Sequence, residues 1–185
     1  RFSVIRVEAD STQRLWSFEL AGSDPRLVLR EVQPVGYHAW IDDHTLALFV
    51  LGSPATLQIA DSRSQTAGVR ARDIGRSLHK LPRHRLASFL QWEGRGEGRV
   101  GTIKTIGPDS DSAEIAAQAL EGSEDYAWTP DGILIMGSGS KLYALNPAGE
   151  REWREIADLA GAGIEGITRL AVSPDGTRLA VVGSR

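Results

Sequence analysis

The chain has 185 residues, 41% hydrophobic and 24% charged, the balance of a globular domain long enough to bury one core. Its net charge of −3 argues against a general nucleic-acid binder, which would be basic. Cysteine is absent, which excludes disulfides, thiolate metal sites and cysteine nucleophiles, and no apolar run reaches the roughly 18–20 residues that cross a bilayer.

The opening RFSVIRV (residues 1–7) has neither an initiator Met nor a signal-peptide pattern, so the chain is expected to start at a processed or truncated end. It reads as the second strand of a repeating unit, followed by LWSFEL (15–20) and the polar RLVLREV (26–32). The next unit carries YHAWIDDHTLALFVLG (37–52), TLQIAD (56–61) and AGVRARDI (67–74). A third follows with SLHKLPRHRLASFLQW (77–92), VGTIKTI (100–106) and SAEIAAQAL (112–120), the last Ala-rich enough to admit a short helix. YAWTPDGILIMGSGSKLYAL (126–145) and EWREIADL (152–159) form a fourth, and LAVSPDGTRLAVVG (170–183) opens a fifth.

Ala127, Pro130, Asp131 and Gly132 recur as Ala171, Pro174, Asp175 and Gly176, 44 residues later, and Ala39-Trp40 stands two such periods before Ala127-Trp128. In the shared turn, Pro presets φ, Asp bonds local backbone and Gly takes a positive φ. Asp131, Asp175 and Asp43 of the divergent Ile41-Asp42-Asp43-His44 are therefore read as turn residues rather than ligands. Four strands per period with a polar outermost strand is the pattern of a β-propeller blade. The expectation is an all-β propeller with repeats at about 1–33, 34–76, 77–122, 123–165 and a partial 166–185. It forms one domain and holds about four blades of a ring expected to have six, a closed four-bladed ring being the alternative.

With AWTPDG and AVSPDG as its clearest copies, the sequence resembles the TolB-like, WD-like β-propeller repeat family along essentially its whole length. The turn of the third unit, Leu81-Pro82-Arg83-His84, fits poorly. The resemblance implies a fold, found in periplasmic scaffolds, gating domains of prolyl peptidases and some polysaccharide lyases, and it implies a periplasmic or secreted location. Fold alone does not give function.

No chemistry-bearing motif survives inspection. Gly137-Ser138-Gly139-Ser140 lies between strands, where a serine-hydrolase elbow needs a strand-to-helix turn, and a P-loop reading puts Ser138 where Lys is required. His38 and His79 sit in inner strands and are the candidate metal ligands, with no tight metal spacing. Trp40 and Trp128 read as packing between blades or as a stacking platform for a ligand. Residues 63–104 carry ten Lys/Arg against three Asp/Glu, and residues 109–165 carry twelve acids against three bases. Arg72, Arg76, Arg83 and Arg85 are the candidate patch for an acidic partner or anionic ligand; mutual neutralisation between blades is the competing reading. The leading function is a non-catalytic scaffold for a protein partner or ligand, without cofactor, nucleic acid or membrane span. The alternative is a metal-dependent propeller enzyme acting on an acidic polysaccharide.

Overall fold

The computed structural model describes residues 1–94, 96–150 and 152–184, with the backbone alone of Glu97. Seventeen strands make five antiparallel sheets in chain order among these residues. The first holds β1 (Phe2–Val7), β2 (Gln13–Phe18) and β3 (Arg26–Leu27). The second holds β4 (Val35–Trp40), β5 (Thr45–Val50), β6 (Thr56–Asp61) and β7 (Thr66–Arg72). The third runs β8 (Ile74–Lys80), β9 (Ala87–Glu93), β10 (Val100–Ile106) and β11 (Glu114–Gln118). The fourth runs β12 (Tyr126–Trp128), β13 (Leu134–Ser138), β14 (Lys141–Leu145) and β15 (Arg154–Asp158). The fifth pairs β16 (Gly166–Val172) with β17 (Leu179–Ser184).

Each sheet is a simple meander, so every strand pairs with its chain neighbour and the first strand of each four-stranded sheet lies at one edge. The second strands, TLALFV, ASFLQWE and LIMGS, are apolar because both of their faces are covered. Leu46 and Leu48 of β5 join Leu15, Leu29 and Val35 in the core against the first sheet, while Ala47 joins Leu78 and Phe89 in the core against the third. Leu90, Tyr126, Leu134 and Met136 fill the next interface, and Ile135, Leu142 and Leu170 the last. The fourth strands β7 and β15 are largely exposed and charged, which keeps a sheet edge in water without inviting another strand. The Ala-rich 114–118 forms such a strand too, paired with β10 and burying Ala117.

The turns between first and second strands line up on one side of the molecule. In each full copy of the motif, the Gly N–H closes a turn on the carbonyl three residues back, Gly132 on Thr129 at 3.0 Å and Gly176 on Ser173 at 2.9 Å. The head residue then locks the loop: Thr129 Oγ1 donates to Asp131 Oδ1 and Ser173 Oγ to Asp175 Oδ1, at 2.5 and 2.6 Å. Gly132 and Gly176 have φ of +89° and +72°, and a Cβ at Gly176 would stand 3.2 Å from Pro130 Cδ. Gly132→Ala is expected to cost about 1 kcal/mol from backbone strain alone. Gly176→Ala should cost more, because Pro130 must also move; urea denaturation of the two variants checks the order.

Candidate functional site

The side chains at repeat-equivalent positions build interfaces between sheets. Trp40 Nε1 donates to Ser3 Oγ of the first sheet at 2.8 Å, and Ser3 is also hydrogen-bonded to His38 Nε2 at 2.7 Å. Two sheets later, Trp128 Nε1 donates to Ser88 Oγ at 2.7 Å, and Tyr126 Oη donates to the same oxygen at 3.0 Å. His38 therefore occupies the place of Tyr126 in a repeated clamp, in which a serine of one sheet's second strand holds two ring groups from the next sheet. β1 fills a second-strand role here, with Ser3 acting as Ser88 does in β9.

His79 is one residue out of phase with His38. His79 lies opposite Ser88 in the regular part of the β8–β9 pairing, whereas His38 lies opposite Leu48. The His79 ring then turns to the following sheet, 4.8 Å from the Tyr126 ring, while His38 faces the preceding one. The two imidazoles are not brought together, and no group of three or more His, Asp or Glu is arranged for a metal among the described residues. Burial lowers the affinity of both rings for a proton, that of His79 to a pKa of about 4.

The four arginines do not share a surface either. Arg76 lies near the start of β8, and Arg83 and Arg85 lie in the turn beyond its other end. Arg72 ends β7, and its carbonyl accepts from Gln91 Nε2 at 2.9 Å. Arg85 bridges Asp42 at 2.7 Å and Asp109 at 2.9 Å. Arg95, which adds to the same basic stretch, lies outside the described residues. In the divergent turn it is Asp42, not Asp43, that organises the loop: its Oδ1 accepts from the backbone of His44 and Thr45. Burial pushes the Asp42 carboxyl up, but these bonds and Arg85 outweigh it and hold the group far below the usual carboxylate range.

A different set of residues converges at the first strands. Asp125, just before β12, is buried, with its side chain 8% exposed. Arg76 Nη2 donates to its Oδ2 at 2.7 Å, and Arg169 Nη1 of β16 to its Oδ1 at 3.3 Å. Glu124 bridges Arg76 Nε at 3.2 Å. Arg169 reaches on to Tyr37 of β4, donating to its hydroxyl at 2.9 Å with the guanidinium carbon 5.6 Å from the ring. Four sheets thus contribute to one cluster of two arginines, two carboxylates and a phenol, in which both guanidiniums remain partly open to water. Tyr37, Asp125 and Arg169 each stand two residues before the repeated alanine, at Ala39, Ala127 and Ala171. That variable polar position inside a regular apolar strand was the available signal.

Neither a protein-family model nor a curated protein sequence matches this chain. Solved structures do. TolB from Acinetobacter baumannii superposes with a TM-score of 0.72 at 18% identity, over 97% of this chain and 46% of that one. A chain of the nidogen/laminin complex gives 0.70 at 14% identity, over 92% and 64%. Oligogalacturonate lyase in complex with manganese gives 0.62 at 17%, over 93% and 54%. Together with the four-stranded antiparallel meanders, the likeness decides the architecture. The fold is a β-propeller. Its sheets are blades, the first strands line the central channel, and the Asp125 cluster lies on the channel side. The chain spans about half the length of TolB and of the lyase, and identities this low carry the fold alone.

Proposed function

We propose that this propeller is a non-catalytic binding scaffold, secreted or periplasmic, that engages an acidic protein partner or an anionic ligand at the channel mouth. One observation carries the reading: Arg76 and Arg169 converge from two blades on one buried carboxylate while keeping guanidinium surface open to solvent. Fixed cations at the rim of a concave, low-dielectric opening are where an acidic group is attracted most strongly. The location rests on the resemblance of the repeat, and the presence of a propeller in the nidogen/laminin complex supports use of the fold for protein contact.

Polygalacturonate and poly-L-glutamate are suitable acidic probes. Binding of either should weaken steeply as salt is raised and should be lost in Arg169→Glu. No shortened or unsaturated product should accumulate. Release of product, or binding indifferent to both salt and Arg169→Glu, would overturn the proposal.

A further inference from the structure

Beside the charged cluster, between blades three, four and five, lies a cavity of about 540 Å³. It is bounded by Arg76, Trp92, Arg99, Glu121, Ser138 and Thr168, among others. Three of its charges are already spoken for, since Arg76 is engaged by Glu124 and Asp125. Two are not. Arg99 and Glu121 are both exposed and line the same space, yet neither forms an ion pair, with each other or with any other side chain, among the described residues.

Arg99 is held in place by an aromatic face rather than by a carboxylate: its guanidinium carbon stands 4.9 Å from the centre of the Trp92 ring. Stacking of this kind fixes the guanidinium plane and leaves its edge donors free for a carboxylate. Trp92 adds a donor of its own. The indole N–H groups of Trp16, Trp40, Trp128 and Trp153 all reach protein acceptors at 2.6–2.8 Å, and that of Trp92 has none among the described residues. Two glycines make room for the ring. A Cβ at Gly101 would stand 3.2 Å from Trp92 Cζ3, and one at Gly75 would stand 2.8 Å from Glu124 Oε2 and 3.4 Å from Trp92 Nε1.

A cavity lined by a stacked guanidinium, an indole N–H and a carboxylate, each without a partner among the described residues, matches a ligand with both charges. We propose that it binds a small zwitterion, of amino-acid to dipeptide size, with the carboxylate on Arg99 and Trp92 and the ammonium group on Glu121. The inference rests on the reading of the propeller as a binding scaffold and gives that scaffold a second, smaller ligand class.

Titration of the ¹⁵N-labelled protein with L-alanyl-L-alanine, following the Trp92 indole cross-peak (assigned by its loss in Trp92→Phe), tests it. The peak should shift saturably. N-acetylation or C-amidation of the dipeptide, Arg99→Gln and Glu121→Gln should each weaken binding about tenfold or more, the scale of one lost charge-assisted hydrogen bond. An absence of saturable shift, or equal binding of the capped dipeptides, would overturn the zwitterion site. Acidic-polymer binding that still depends on Arg169 would show that the scaffold reading survives such a failure.

Discussion

Ser88→Ala should destabilise the protein by about 2–4 kcal/mol, far more than its small volume suggests. Ser88 is fully buried, and its oxygen is the acceptor for both Tyr126 Oη and Trp128 Nε1. Truncation leaves two donors stranded, and each unsatisfied buried group costs about 1–3 kcal/mol. Tyr126 bears most of that loss, because it is 1% exposed and has no path to water; the same burial raises its hydroxyl pKa above the usual tyrosine value. Trp128 is only half-buried and recovers part of its bond from solvent. Ser3→Ala removes the repeat-equivalent serine, but Trp40 and His38 are also half-buried, so a loss of about 1 kcal/mol or less is expected. Urea midpoints at an unchanged denaturant slope give the comparison. Equal effects from the two substitutions would show that burial does not set the strength of the clamp.

The second large effect is acid lability traceable to one imidazole. Half-buried His79 has its pKa lowered by desolvation to about 4, against 6.5 for a free histidine. The unfolded chain then binds a proton that the folded chain refuses between those two values. Stability tied to His79 is therefore complete above about pH 6.5 and is lost progressively as the pH falls toward 4, in total on the order of 3 kcal/mol. The Asp175 pKa is drawn down to about 2 by bonds from Ser173 and Thr177, so its contribution is lost only at lower pH. His79→Phe should flatten the stability profile between pH 6.5 and 4, whatever its effect at neutral pH. A slope unchanged in that variant would assign the acid lability elsewhere.

The architecture was legible because its signals are local and repeated. AWTPDG and AVSPDG announce two turns outright, and the apolar second strands follow from burial on both faces. Trp40 and Trp128 were legible as equivalent packing residues, but the serines that receive them lie 37 and 40 residues earlier, in the preceding blade. Charge failed for the same reason. A basic stretch of chain is not a basic patch in space, since Arg85 meets Asp42 and Arg76 meets Asp125, 43 and 49 residues away, about one blade period. His79 appeared to match His38, but it stands two residues before the turn closed by Leu81 N–H, while His38 stands three before the turn closed by Ile41 N–H, so the two rings face opposite blades. The Asp125 cluster assembles from four blades, so only an alignment of the repeats on their shared alanine could have grouped Tyr37, Asp125 and Arg169.

The same cluster would arise if the two arginines served only to neutralise Asp125, and Arg169 separates that role from ligand binding. Arg76 retains its pairing with Asp125 when Arg169 is truncated, and Arg169 is 42% exposed, so Arg169→Met should change stability by no more than about 1 kcal/mol. The decisive measurement pairs urea denaturation of Arg169→Met with its binding of poly-L-glutamate and polygalacturonate at low salt. A binding centre predicts near wild-type stability with binding lost. A marked drop in stability with binding unchanged would contradict it.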